Sequence, residues 1–332
     1  MKKIINNGEN VVEEMLQGMV KAHPEYLTRI EGYNVLVRKN SPVKDKVALV
    51  SGGGSGHEPA HAGYIGLGML DGAVAGEVFT SPTPEQILEA IKAVDSGKGV
   101  LLVVKNYTGD VMNFEMAAEL AEMEGIKVEQ VLVNDDVAVE DSTYTIGRRG
   151  IAGTVLVHKI AGAAAEKGME LDEVKRVAEK AIANVRSMGM SLTPCIIPAA
   201  GKPSFEIGED EMEMGLGIHG EPGTHKEKIK SANEITDHLL EKILADMKLG
   251  NGDEVAVIVN GLGGTPLMEL YIANRELAIV LGKKNIKVYK TLIGNYMTSL
   301  EMAGFSITLL KLDEELKGLL DDKADTPVFK QL

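Results

Sequence analysis

The chain has 332 residues, 49 of them acidic and 35 basic, and its formal net charge at pH 7 is −14. This negative balance argues against nucleic acid or an anionic membrane as a partner, and the length favours two domains. Cys195 is the one cysteine of the sequence, so no intrachain disulfide can form; this is typical of a reducing compartment, and we expect the thiol to be buried.

The amino-terminal sequence lacks the apolar stretch of a secretory signal peptide, and no window approaches the roughly 18 apolar residues that a membrane-spanning helix needs. We therefore expect a cytoplasmic protein. Further along, Asn10 and Glu13 have the spacing of a capping pair at the start of an amphipathic helix, which should end near Pro24. Strands are predicted at 33–37 and 47–50.

A glycine-rich stretch follows the second of these strands. Gly52, Gly53, Gly54 and Gly56 lie within five residues, and glycine lets the backbone take positive φ and approach a ligand closely. We predict a loop here, with a ligand lying against backbone N–H groups. The first side chain beyond the glycines with acid–base chemistry is that of His57.

Three familiar motifs fail on specific residues of this stretch. A phosphate-binding P-loop needs Lys and then Ser or Thr where His57 and Glu58 stand, and a dinucleotide fingerprint needs a small residue at one of positions 57–59. Residues 57–61 match the zinc-protease pattern H-E-x-x-H, but Pro59 would disrupt that helix by ~3 kcal/mol. Proline is tolerated in a first helical turn, so we expect His57 near a helix N-cap.

Beyond this stretch, apolar strands and amphipathic helices alternate, which predicts a largely parallel sheet covered on both faces. We place a domain boundary near 183–192 and divide the chain into 1–185 and 186–332. The fold class is α/β, with two α/β domains that each have a largely parallel or mixed sheet flanked by helices. The predicted strands are 72–78, 100–104, 128–133, 254–259, 286–292 and 306–310, and the predicted helices are 84–94, 112–124, 154–167, 171–188 and 266–281.

Ligands of open parallel sheets lie outside the carboxyl ends of the strands. Two such positions carry reactive side chains: the stretch ending in His57, and the loop after residue 104 with Lys105 and Asp110. These three side chains could converge on one site, although an aspartate that starts a helix is more often an N-cap.

The second half carries His219 among glycines, without an obvious carboxylate neighbour in sequence. Such a ring would tend to stay neutral and could act as a nucleophile. The alternative is a turn histidine with no chemical role.

Four sequence blocks, taken together, resemble the dihydroxyacetone kinase family, specifically its substrate-binding K subunit. The resemblance covers essentially the whole chain in order and is more specific than any single motif above. The blocks are SGGGSGHEPAHAGY at 51–64, GEVFTSPTP at 76–84, KNYTGD at 105–110 and GIHGEPG at 217–223.

This resemblance implies a role for each candidate residue. His219 would add to the ketone carbon of dihydroxyacetone and form a covalent hemiaminal, while His57 and Asp110 would be the acid–base and hydroxyl-orienting groups, with the proton acceptor left open between them. Lys105 would hold a hydroxyl or face the incoming phosphoryl group. Gly54, Ser55 and Gly56 would contact the substrate through the backbone.

The resemblance also implies partners. The sequence has no P-loop or aspartate cluster for Mg²⁺-nucleotide, so it resembles the phosphotransferase-system-dependent form. In that form a separate L subunit carries ADP, with Mg expected there too, donates the phosphoryl group and is rephosphorylated by an M subunit. We therefore expect no cofactor or metal in this chain, a homodimer, and turnover only with partners. The competing hypothesis is a ketone-sensing paralogue that controls a transcription regulator without kinase activity.

Overall fold

The computed structural model describes residues 2–140 and 145–332. Its first sheet has the strand order β1-β2-β4-β3-β5-β6. Strands β3 to β6 are mutually parallel, whereas β1 and β2 form an antiparallel edge, so the prediction of a largely parallel sheet is confirmed for this half. The strands are β1 (Leu27–Arg29), β2 (Val35–Arg38), β3 (Ala48–Ser55), β4 (Gly72–Val78), β5 (Val100–Lys105) and β6 (Val128–Val133).

The second sheet is mixed, with the order β11-β10-β12-β7-β8-β9. β10 and β11 are parallel, and the other neighbouring pairs are antiparallel. Its strands are β7 (Val185–Ser191), β8 (Glu211–Met214), β9 (His225–Lys228), β10 (Glu254–Gly261), β11 (Lys287–Gly294) and β12 (Gly304–Leu312), and a short hairpin of β13 (Ala324–Asp325) and β14 (Lys330–Gln331) follows.

Helices cover both outer faces and fill the space between the sheets. α2 and α3 pack on one face of the first sheet, α6 and α7 on the outer face of the second, and α4 and α5 lie between them. The helices are α1 (Val11–Ala22), α2 (Pro84–Val94), α3 (Thr108–Met123), α4 (Thr154–Glu166), α5 (Leu171–Asn184), α6 (Ala232–Asp246), α7 (Leu267–Lys283) and α8 (Glu314–Asp321).

The middle layer joins the two halves. The largest buried cluster contains Val103 of β5, Val155 of α4 and Ile258 of β10, and therefore takes residues from both sheets. Every residue of α4 from Thr154 to Ala165 is buried. The boundary at 185/186 stays a prediction, since one apolar core crosses it.

Two details of the predicted helices differ from the structure. Asn10 stands at the N-cap of α1, but its side chain makes no capping hydrogen bond, so the capping pair was wrong. The helix predicted for 171–188 ends at Asn184, because residues 185–191 pair between β12 and β8 as a buried strand. Tertiary pairing overrides local helix propensity there. Cys195 is buried, as predicted.

Among the described residues, we found no helix with the length and apolar character that crossing a bilayer requires.

Candidate active site

A cavity of about 530 Å³ lies beside the carboxyl ends of β3 and β5, where ligands of such sheets bind. Its lining comes from both halves of the chain. Gly54, Phe79, Tyr107 and Asp110 come from the first half, and His219 comes from the second.

The glycine-rich stretch is a strand rather than a loop, which corrects the sequence prediction. β3 continues through Gly54 to Ser55 and pairs with β4. Glycine is needed because the strand is crowded: a Cβ on Gly53, where φ is +148°, would lie 2.5 Å from Lys105 Nζ. The stretch thus brings bare backbone close to the Lys105 side chain.

The helix expected to begin at His57 is also wrong. Residues 57–61 form turns, and a 3-10 helix of three residues follows at Ala62–Tyr64. The buried ring of His57 is instead fixed by a hydrogen bond between Nδ1 and the carbonyl oxygen of Thr298, at 2.7 Å. Nδ1 therefore carries the proton, and the buried Nε2 atom has no hydrogen-bond partner among the described residues.

Burial holds the pKa of His57 well below its ordinary value, and the nearby His219 and Lys105 lower it further. His57 is therefore neutral, with its lone pair on Nε2. A neutral imidazole with an unused lone pair can accept a proton.

His219 lies in an aromatic enclosure. Its ring centroid is 4.5 Å from that of Tyr107, 4.8 Å from that of His57 and 5.3 Å from that of Phe79. Phe79 and Tyr107 stand inside the blocks at 76–84 and 105–110, but sequence reasoning assigned them no role. The two catalytic histidines predicted from the sequence are thus in contact.

The expectation that His219 lacks a carboxylate neighbour is wrong. Glu221 lies two residues on, and its two oxygens accept from the His219 ring Nδ1 at 2.8 Å and from the His219 backbone N–H at 2.9 Å. The turn at 217–221 brings them together, since the Gly217 N–H donates to the Glu221 carbonyl oxygen. When Nδ1 carries the one ring proton, the lone pair of the ring is on Nε2.

Glu221 is buried and ionised. Burial would raise its pKa, but the hydrogen bond from His219, the charge that this ring carries when protonated and the charge of Arg149 lower that pKa to about 2. Arg149 is fully buried and is itself held by Asp136 and by the carbonyl oxygen of Gly215. The carboxylate therefore presents a fixed negative charge to the ring of His219.

Asp110 lies in the first turn of α3 and is not its N-cap, since Tyr107 occupies that position. One carboxylate oxygen, Oδ2, is 3.8 Å from Lys105 Nζ, and the other, Oδ1, is buried without a hydrogen-bond partner among the described residues. Lys105 is fully buried, and burial lowers its pKa although the charge of Asp110 raises it. The pair is close but not hydrogen-bonded, which leaves a carboxylate oxygen free for a ligand.

The remaining predicted residues differ in their surroundings. Gly54 lines the cavity, whereas Ser55 and Gly56 line a separate groove of about 680 Å³. Ser55 Oγ donates to a carbonyl oxygen of β4, and the Gly56 N–H donates to Glu58. Their substrate contacts stay predictions.

The H-E-x-x-H histidines have different partners. His57 is bonded to Thr298, and His61 contacts Lys105 and His158. Within residues 2–140 and 145–332, no group of three or more His, Cys, Asp or Glu side chains has the arrangement of a metal site.

Comparisons with known proteins agree on one family. The family model described as the Dak1 domain matches residues 17–328. The chain is 59% identical over 315 residues to the dihydroxyacetone-binding subunit DhaK of the PTS-dependent dihydroxyacetone kinase 1 of Listeria innocua, and the match covers 95% of each chain.

Two solved structures share the fold. The native dihydroxyacetone kinase of C. freundii superposes with a TM-score of 0.90 at 39% identity, and the match covers 99% of this chain and 60% of that one. The dihydroxyacetone kinase operon co-activator DhaQ has the same TM-score at 37% identity, with 96% and 98% of the two chains covered. The structural likeness therefore extends both to a kinase and to a regulator.

Proposed function

Because the chain belongs to the Dak1 domain family, we propose that it is the dihydroxyacetone-binding subunit of a phosphotransferase-system-dependent dihydroxyacetone kinase. The observation that carries this proposal is the contact of His219 with Glu221 on one side and with His57 on the other, beside a cavity that Asp110 also lines. The arrangement supplies a nucleophile, a proton acceptor and a carboxylate around one small space.

Binding begins with addition of His219 to the ketone. The Nε2 lone pair forms a bond to the carbonyl carbon, the carbonyl π bond breaks, and its oxygen becomes a hydroxyl. As the bond forms, positive charge develops on the ring, and the ionised Glu221 stabilises it. The net proton change is the transfer of one proton from ring Nδ1 to the former carbonyl oxygen, so the adduct carries no net charge. The product is a hemiaminal.

The covalent bond accounts for selection of so small a substrate. A neutral three-carbon ketone has few atoms, and each contributes at most about 1.5 kcal/mol to binding through contacts. Addition to a carbonyl gives further affinity and also rejects glycerol, which has no carbonyl group to attack.

Phosphoryl transfer then uses a terminal hydroxyl of the bound ketone. The hydroxyl oxygen attacks the terminal phosphorus of the donor nucleotide, and the bond between that phosphorus and the leaving nucleoside diphosphate breaks. The hydroxyl proton passes to Asp110 or to His57 Nε2. Both acceptors have a buried atom without a hydrogen-bond partner among the described residues. The Lys105 ammonium group offsets charge that develops near the hydroxyl or on the phosphoryl group.

The donor in this proposal is a separate L subunit that carries ADP and Mg²⁺ and is rephosphorylated by an M subunit. The names of two relatives, from Listeria innocua and Lactococcus lactis, as dihydroxyacetone-binding subunits of PTS-dependent kinases support this division of roles. We expect the chain to act as a cytoplasmic homodimer and to bind dihydroxyacetone alone without converting it to dihydroxyacetone phosphate.

The adduct is tested with dihydroxyacetone carrying ¹³C at the carbonyl carbon. On addition of the protein we expect the ketone signal to be replaced by that of a tetrahedral carbon. His219→Ala should abolish that signal, and His225→Ala, which changes an exposed histidine of β9, should retain it. A tetrahedral signal of native intensity from His219→Ala would refute the assignment.

A second candidate function is ketone sensing without phosphorylation, favoured by the similarity to the co-activator DhaQ. A sensor needs His219 but has no use for a proton acceptor at the hydroxyl. Reconstitution with L and M subunits and phosphoenolpyruvate distinguishes the two functions: a kinase subunit forms dihydroxyacetone phosphate, and a sensor forms the adduct but no product.

A further inference from the structure

A second pair of buried histidines lies behind the proposed active site and has no role in the mechanism above. His61 and His158 are buried, and His61 Nδ1 is 3.0 Å from His158 Nε2. On the other side of its ring, His61 Nε2 is 3.3 Å from Lys105 Nζ. The pair thus forms a chain of contacts from α4, in the middle layer, to a lysine of the site.

The hydrogen bonds around His61 fix its tautomer. The single hydroxyl proton of Ser51 is donated to the carbonyl oxygen of Val103 at 2.6 Å. Ser51 Oγ, which is 3.3 Å from His61 Nδ1, can therefore only accept from the ring. With its proton on Nδ1, His61 also donates to His158 Nε2, and its own Nε2 accepts from Lys105.

This arrangement has an unfavourable consequence for the fold. His158 Nδ1 is buried and has no hydrogen-bond partner among the described residues, although it carries the proton in this tautomer. An unsatisfied buried donor is destabilising, and apolar side chains would fill the same space without it. Packing alone therefore does not account for the pair.

The contact between His61 and Lys105 bears on the distance between Lys105 and Asp110. Their charged groups are 3.8 Å apart, beyond hydrogen-bonding distance, although both are buried where their attraction is strong. Lys105 Nζ is instead within reach of His61 Nε2. A lysine held in this way leaves Asp110 open to a substrate hydroxyl.

We propose that His61, kept in its Nδ1-protonated tautomer by Ser51 and His158, is a positioning residue for Lys105. Its Nε2 atom holds the ammonium group near Asp110 and prevents the two from closing into a hydrogen-bonded pair. This inference rests on the proposed function for its effect on turnover, while the geometry that it describes can be tested without turnover.

The test compares two substitutions of His61. In His61→Leu the acceptor is lost, so Lys105 closes onto Asp110 and engages the carboxylate. Because a displacement of about 1 Å at a reacting group can cost ~10²-fold in rate, we expect kcat in the reconstituted system to fall by about 10- to 100-fold with KM nearly unchanged. In His61→Gln, the amide oxygen can replace Nε2 as acceptor, and kcat should stay within about threefold of native.

The second readout is the titration of Lys105, followed by NMR on protein with labelled lysine and assigned with Lys105→Met. The charged and titratable groups that face Lys105 are Tyr107 and Asp110 at the start of α3, His57 and His61 after β3, His158 on α4 and Glu221 in the 217–223 turn. We expect the pKa of Lys105 to rise in His61→Leu, since a closer carboxylate favours the charged amine. It should stay near the native value in His61→Gln.

An unchanged or lowered Lys105 pKa in folded His61→Leu would overturn the proposal, as would equal losses of kcat in the Leu and Gln variants. His225→Leu, at an exposed histidine of β9, is the matched control and should leave both readouts native. The ¹³C adduct signal separates the two proposals: if native protein forms no adduct, the proposed function fails, and the lysine titration still decides the role of His61.

Discussion

The contact between Glu221 and His219 gives a sharp prediction for the substitution Glu221→Gln. The carboxylate accepts two hydrogen bonds from the same residue, one from the ring Nδ1–H and one from the backbone N–H. A glutamine amide has a single acceptor oxygen where the carboxylate has two. Since a backbone N–H is always a donor, the amide oxygen must face it, and the NH₂ group then faces the ring.

A donor facing Nδ1 reverses the tautomer of His219. Nδ1 becomes the acceptor, the proton moves to Nε2, and the nucleophilic lone pair is lost. Adduct formation needs the Nδ1-protonated tautomer, which in Glu221→Gln lacks the hydrogen bond that Nδ1 donates to the charged carboxylate in the native protein. A hydrogen bond to a charged group contributes about 1.5–3 kcal/mol, so adduct formation should weaken by about 10- to 150-fold. The loss of negative charge acts in the same direction, because positive charge develops on the ring as the bond to the carbonyl carbon forms.

The assay is a titration with dihydroxyacetone labelled at the carbonyl carbon, following the tetrahedral ¹³C signal to obtain an apparent Kd. Glu213→Gln is the matched control, because Glu213 accepts from the backbone N–H of Gly223 in the same turn region and has no contact of this kind with the His219 ring. An apparent Kd for Glu221→Gln equal to that of native protein would refute the tautomer argument.

Three further predictions concern catalysis and stability. Asp110→Asn should retain the adduct while product formation falls by ~10²–10⁴-fold; near-native turnover would assign proton transfer to His57. Gly53→Ala should reduce turnover with the adduct retained, since the new Cβ would lie 2.5 Å from Lys105 Nζ at a φ of +148°, and native turnover would show that the strand can shift at no cost. Burial, with a further effect of Lys105, lowers the pKa of His158 from 6.5 to about 3. Below pH 6.5 the unfolded chain therefore binds a proton that the folded protein does not, and the free energy of unfolding decreases as the pH is lowered. In His158→Leu the loss of unfolding free energy between pH 7 and pH 5, measured by urea denaturation, should be smaller by about 2 kcal/mol, and an unchanged loss would contradict the assignment of a neutral His158.

The first half of the fold follows its sequence pattern closely. Helix α2 has the predicted bounds, and the parallel strands β4, β5 and β6 stand where apolar runs predicted them. Errors arise where tertiary contacts decide the conformation. Three successive glycines are typical of a loop, but here they form a strand, because pairing with β4 and the closeness of other atoms outweigh their low strand propensity.

The second half was predicted less completely. Helix α6, which none of the predicted elements covers, begins with a full capping box at Ser231 and Glu234. The short strands β8 and β9 are four residues long, and their antiparallel partners are set by tertiary pairing rather than by any local pattern. Sequence periodicity predicts an element, but not which neighbour it will pair with.

For the site, the sequence motifs identified His57, Asp110 and His219, and the structure brings two of them into the lining of one cavity with the third in contact. Glu221 was missed because it lies with His219 in a turn, where no helical or strand periodicity indicates which side chains meet. Only the tight turn returns its carboxylate to the ring, and turn geometry of that kind depends on contacts such as the one between Gly217 and Glu221.

The wholly interior position of α4 limits how a ligand can reach the site. An enzyme that captures its substrate by closing two lobes about a hinge must be able to part those lobes, yet parting the two sheets would expose a helix whose residues from Thr154 to Ala165 are all shielded from solvent. The two sheets therefore stay together while a ligand enters and leaves, and the spacing of the groups that line the cavity stays constant.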